Sequence, residues 1–192
     1  MSRWLLLFSA LLCVAGCDWS PSPAGAGSGL SRETPAEPAA AAFSHAQTQD
    51  LSGYYVPVEP VRFGRFELDH LFVGQGQEFQ AWDDGGRTAT FAPVMIELND
   101  TTSPRTPNEM GGEGYEVSPR VLPSRYLVTD DRVVFEGDGA GLGRVRFEGR
   151  VDGAALATAR RNLGGGEAPV LTGRLTVGGR TETVSLRWYG GD

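Results

Sequence analysis

The stretch Arg144 to Val151 carries Val145, Phe147 and Val151 on one parity and Arg144, Arg146, Glu148 and Arg150 on the other. Side chains of an extended chain alternate between two faces, so this segment is a strand with one dry and one wet side, as antiparallel sheets have. Such a strand needs partners, and the chain supplies them at short intervals. Phe66, Leu68, His70 and Phe72 alternate with Glu67, Asp69 and Leu71, and Thr88 to Leu98 sets Thr90, Ala92, Val94, Ile96 and Leu98 on one face. Tyr126 to Thr129 and Arg132 to Glu136 flank Asp130-Asp131 as a tight hairpin. Val170 to Val177 and Thr181 to Tyr189 flank Gly178-Gly179, with Leu171, Leu175, Val177, Val184, Leu186 and Trp188 inward and Thr183, Ser185 and Arg187 toward water.

The glycine run Gly137 to Gly143 follows a strand, but another strand comes next. A phosphate-binding glycine loop must lead into a helix N-terminus, so this run reads as a turn. One helix is predicted, capped by Asp152 and running through Leu156, Ala159 and Leu163, with Arg160 and Arg161 in its last turn and Gly164 to Gly166 stopping it. The expected fold is mainly β, an antiparallel barrel or sandwich with one short helix over about 152–163, preceded by a signal peptide and a disordered tether.

Composition narrows the chemistry. All 17 basic residues are arginine, and the chain has two cysteines, Cys13 and Cys17, and two histidines, His45 and His70. A lysine Schiff base, a multi-cysteine zinc site and a histidine cluster are therefore excluded. A net charge of -7 argues against nonspecific nucleic-acid binding, which needs a basic face.

Arg3 precedes an apolar run from Trp4 to Ala15, shorter than the roughly 20 residues a membrane-spanning helix needs. It reads as the core of a signal peptide. Val14-Ala15-Gly16-Cys17 follows and resembles the bacterial lipobox. The resemblance implies a signal peptide over 1–16, acylation of the Cys17 thiol (diacylglycerol and palmitate-type chains), and a membrane anchor facing the periplasm or the outside. Asp18 resembles the residue that retains enteric lipoproteins in the inner membrane; inner and outer membrane are both open. Residues 17–50, rich in Ser, Pro, Gly and Ala, lack the apolar area to offset their ordering and form the lipidated N-terminus and linker. Some 30 flexible residues span roughly 30 Å. His45 lies in this tether and is assigned no role. Residues 51–192 form one β-rich globular domain.

The last hairpin also resembles the C-terminal signature of the YceI-like family, through Gly173, Leu175, Thr176, Val177, Gly179, Thr181, Val184 and Leu186. That family has a lipocalin-like barrel enclosing a long apolar molecule, typically an isoprenoid, and its members are exported to the periplasm. Phe66-Glu67-Leu68-Asp69-His70 is similar to the family's opening strand, although the histidine follows the aspartate too soon and no serine comes after it.

Candidate sites follow from these placements. His70 is the one histidine of the domain and lies on the apolar parity of its strand; a hydrolase would have to be centred on it. No glycine-serine-glycine elbow accompanies it, so no catalytic residue is assigned. His70, Phe72, Trp82 and Trp188 are the ligand-binding candidates, the two tryptophans as wall or mouth of an apolar cavity near strand ends. Asn99 to Pro119 is a long irregular stretch whose Asp100, Glu109, Glu113 and Glu116 fit no EF-hand spacing, and neither metal nor cofactor is expected. Asp83-Asp84 and Asp130-Asp131 read as turns. The preferred function is a non-enzymatic cell-envelope lipoprotein that binds an apolar, isoprenoid-like small molecule. A protein-protein or cell-wall interaction module is the alternative, and a hydrolase using His70 the weaker one.

Overall fold

The computed structural model describes residues 42–107, 112–162 and 167–191. The lipobox, Cys17, most of the tether, Glu109 and the predicted glycine stop of the helix lie outside the described residues.

The elements in chain order are β1 (Phe43–His45), β2 (Gly53–Pro57), β3 (Arg62–Phe63), β4 (Phe66–Val73), α1 (Gly76–Asp83), β5 (Val94–Asp100), β6 (Arg105–Pro107), β7 (Glu113–Tyr115), β8 (Arg120–Val121), β9 (Pro123–Val128), β10 (Arg132–Gly139), β11 (Gly143–Val151), α2 (Gly153–Arg161), β12 (Leu171–Val177) and β13 (Arg180–Tyr189). The fold is mainly β. An eleven-stranded sheet runs β1-β9-β10-β11-β12-β13-β2-β4-β5-β8, with β3 on β4. β8 and β9 stand near opposite ends of that order, yet Leu122 alone separates them in sequence. One length of chain therefore pairs first with β5 and then with β10, and the sheet curls toward itself in the form of a half barrel.

The curl needs backbone without side chains. Gly149 lies opposite Gly173 on the inner face of β11 and β12. A Cβ on Gly173 would strike the Glu148 carbonyl oxygen and the Gly149 Cα, so the strands can bend there only as glycine. Gly178 and Gly179 adopt φ of 56° and 88° in the following turn, a conformation that glycine enters without strain.

Inside the curl, Tyr55, Phe79, Tyr126, Phe135 and Phe147 are at most 2% exposed, packed with Leu71, Ile96, Leu98, Leu171, Leu175 and Leu186. The terminal hairpin carries its six expected inward residues in this core. The β9–β10 hairpin at Asp130-Asp131, the turn within 137–143 and the helix after Asp152 also form where expected; the Asp152 carboxylate accepts from the Ala155 N–H at 2.9 Å.

Four features differ from the expectations. β4 contains a bulge between Leu68 and His70, which leaves Asp69 as an extra residue and reverses the parity beyond it. Leu71 and Val73 are buried, while His70 and Phe72 turn to the outer face instead of lying with the apolar set. Residues 88–93 are not strand; ladder pairing begins at Val94, and helix α1 occupies 76–83. That helix is short, with two buried anchors three residues apart, Phe79 and Trp82, and Glu78 accepts from the Gln75 N–H at 2.6 Å across its first turn. The 99–119 stretch holds a small hairpin, β6 with β7. Finally, the domain begins before Leu51. β1 lies parallel on β9, Phe43 packs edge-on to Trp82 with ring centroids 5.7 Å apart, and Asp130 accepts from the N–H groups of Thr48 and Gln49 at 2.7 and 2.8 Å. His45 Nε2 lies 3.0 Å from Asp83 Oδ2, so the histidine read as part of the tether joins β1 to α1.

Candidate functional site

In a regular strand adjacent side chains point to opposite faces, and Asp69 could not reach His70. The bulge puts both outside. His70 Nδ1 then lies 2.7 Å from Asp69 Oδ2, and an ionised carboxylate accepts only, so Nδ1 carries the proton. Asn99 Nδ2 donates to the other Asp69 oxygen at 2.8 Å, and the Ser118 hydroxyl donates to Asn99 Oδ1 at 2.7 Å. The hydrogen bond from His70 holds the Asp69 carboxyl below the ordinary 3.8; partial burial opposes it, and Asn99 adds to it. The imidazole is thus fixed in orientation, with Nε2 making no hydrogen bond among the described residues.

Aromatic rings surround this pair. Tyr54 meets His70 edge-on at 4.9 Å and Phe72 at 5.3 Å, and Phe72 meets Phe91 at 5.9 Å. Tyr189 pairs with Tyr54 across β13 and β2, and Tyr54 pairs with Phe72 across β2 and β4, so all three rings stand on the outer face. Tyr54 and Tyr189 are each 36% exposed. Opposite His70 on β5 is Glu97, which holds Arg120 at 2.8 Å. The result is an aromatic shelf with a fixed imidazole beside it and a carboxylate–guanidinium pair along its edge. Such a surface offers apolar contact, one imidazole nitrogen and charged hydrogen-bonding groups to a docked partner.

Of the four ligand-binding candidates, the structure brings His70 and Phe72 together and leaves the tryptophans apart. Trp82 sits on α1, not near a strand end, buried against Phe43 with the Arg87 guanidinium 5.3 Å from its ring. Trp188 faces inward on β13, donates from Nε1 to the Ser52 carbonyl at 2.9 Å and lies under the Arg160 guanidinium at 4.8 Å. Both pack structural joints. Tyr54, Phe91, Tyr189, Asp69 and Asn99 belong to the shelf and were not singled out from sequence. A signal for them exists, because the apolar parity runs Phe66, Leu68 and then Leu71, Val73, a step of three that marks an inserted residue at 69–70.

Hydrolysis would need a nucleophile beside the imidazole; among the described residues the serine tied into this network, Ser118, donates to Asn99 and makes no hydrogen bond to His70. Of the loop carboxylates, Asp100 bonds Thr102 and lies 3.3 Å from Arg65, and Glu113 faces Arg105 at 3.9 Å. Among the described residues no group of three or more His, Cys, Asp or Glu side chains is arranged to hold a metal ion, and no helix is long and apolar enough to cross a membrane. Comparison with protein-family models, curated proteins and solved structures returns no match.

Proposed function

We propose that this chain is the precursor of a cell-envelope lipoprotein, acylated at Cys17, whose β domain holds a partner in the envelope and performs no chemistry on it. The observation that carries the binding reading is the division between inside and outside. The interior is occupied by fully buried aromatic and aliphatic side chains, whereas the half-exposed rings of Tyr54 and Tyr189 and the fixed His70 lie together outside. A filled core with an external aromatic patch supports an interaction module, with an envelope protein or the cell wall as partner.

The apolar small-molecule reading is second, and one feature favours it. A dimple of about 290 Å³ at one end of the curl is lined by Phe63, Phe66, Leu142 and Val177, with Arg65 and Arg180 also in its wall. An isoprenoid-like chain could lie there without entering the packed interior.

Native mass spectrometry and lipid extraction of the protein purified from its own membranes test the two together. Co-purifying protein or glycan that is lost on Tyr54→Ala supports the module; co-purifying isoprenoid retained by Tyr54→Ala supports the dimple. Labelled palmitate should enter the intact chain and not Cys17→Ala, and label in both would remove Cys17 from the anchor.

A further inference from the structure

The outer face of β9 to β12 carries Arg125, Arg132, Arg144, Arg146, Arg150 and Arg174 against three carboxylates, Glu136, Asp138 and Glu148. The chain as a whole has a net charge of -7, so this positive excess is a local feature that the total conceals. Arg132 and Arg150 are directly opposite each other across β10 and β11, an arrangement that like charges disfavour.

Glu136 makes the crowding tolerable. Its carboxylate accepts from Arg146 at 2.8 Å and Arg144 at 3.0 Å, with Arg125 at 3.6 Å, and its side chain is only 10% exposed. Burial pushes this carboxyl up, but the hydrogen bonds from Arg146 and Arg144 outweigh it and hold the group below its ordinary value. Glu136 therefore stays ionised and gathers three guanidiniums while neutralising one charge. Glu148 takes Arg132 at 2.7 Å. The two remaining arginines are held loosely: Arg150 reaches Asp131 at 3.9 Å, and Arg174 stands opposite Glu148 in the ladder but makes no ion pair among the described residues. Arg132, Arg146, Arg150 and Arg174, with Glu136 and Glu148 among them, line an open groove of about 580 Å³.

We propose that this face docks on the anionic phosphate head groups of a bilayer. The charge is spread over four neighbouring strands, and Glu136 and Glu148 sit within it, so a compact anion at its centre would meet repulsion while separate phosphates can settle around the carboxylates. Each exposed arginine presents a planar fork that matches a phosphate's oxygens. The choice of a membrane rests on the reading of Cys17 as acylated: a domain held to lipid through its N-terminus has a head-group surface as its most concentrated anion. The face then supplies a second, reversible attachment beside the acyl chains and sets which side of the domain is turned outward.

The test uses the full chain with Cys17→Ser, so that acyl chains cannot hold it, and phosphatidylcholine vesicles with or without phosphatidylglycerol. The apolar segment 4–15 and the cationic Arg3 beside it are the same in this parent chain and its arginine variant, so the comparison between the two reads the face. The partition coefficient should rise at least about tenfold with phosphatidylglycerol and fall back in about 0.5 M salt. Arg150→Gln/Arg174→Gln, two exposed substitutions away from the Glu136 cluster, should remove most of that rise while leaving the melting temperature unchanged. Equal binding to both vesicles, or a rise that the double variant keeps, would overturn the proposal. So would a soluble glycerol-phosphate polymer that abolishes vesicle binding at equal phosphate concentration, because the partner would then be a polymer. Palmitate labelling reads the anchor separately, so charge-dependent binding without acylation rejects the anchor and leaves the face standing.

Discussion

At the residue scale, two features decide where chemistry is displayed. The proton on His70 Nδ1 is fixed because Asp69 can only accept, and Asp69 is itself held by Asn99; the imidazole is thereby a fixed group on an otherwise aromatic shelf. Gly173 is the residue on which the curl depends. A methyl there meets the Glu148 carbonyl and Gly149 Cα, backbone atoms that no rotamer change can move. Gly173→Ala is expected to destabilise the domain by about 1–3 kcal/mol. Urea denaturation should show a lowered midpoint at an unchanged slope; a midpoint equal to that of the parent would mean that the strands bend elsewhere.

At the element scale the bulge in β4 is separable from the fold. Without Asp69 the strand would read Phe66, Glu67, Leu68, His70, Leu71, Phe72, Val73, a regular alternation that keeps Phe66, Leu68, Leu71 and Val73 inside and stays in register with β5. Deleting Asp69 should therefore leave the far-ultraviolet circular dichroism unchanged and move Tm by no more than about 4 °C, or roughly 1 kcal/mol in a domain of this size. Partner capture on the shelf should be lost, since the imidazole loses its carboxylate. A chain unfolded by the deletion would show the bulge to be structural. The turn between β9 and β10 is the second separable element. Asp130 accepts from Thr48 N–H and hydroxyl and from Gln49 N–H, which ties residues 46–50 to the sheet. Asp130→Ala should expose this segment to limited proteolysis before Leu51 while the rest of the domain resists.

For the whole molecule, carboxylates held by partners predict the response to acid. Asp69, Asp100 and Asp130 lie below their ordinary 3.8, through hydrogen bonds from His70, Thr102 and Gln49 respectively, and Glu136 lies below 4.5 because its arginines outweigh its burial. A group whose pKa falls on folding stabilises the native state fully above its unfolded value and loses that contribution as pH falls through the folded one. These four groups should leave Tm level between pH 7 and about pH 5 and lower it increasingly below about pH 4; calorimetry across that range checks this, and a Tm that rises on acidification would contradict it.

The sequence by itself determined what period-two patterning and local chemistry can specify: a mainly β domain, the hairpins at Asp130-Asp131 and Gly178-Gly179, the capped helix after Asp152, and the six inward residues of the last hairpin. Those features depend on neighbours within a few residues. The tertiary structure decided the rest, because each such feature depends on a partner distant in sequence. Helix α1 has too few apolar residues to announce itself and is held by Phe43 and Tyr126 on other strands. β1 is a strand only because β9 offers it an edge. Plain alternation puts His70 on the inner face, whereas one bulge reverses every side chain after it, and the register with β5 shows where that reversal falls. The arginines of β9 to β12 are scattered along the sequence among carboxylates, and only the pairing of four strands gathers them on one face.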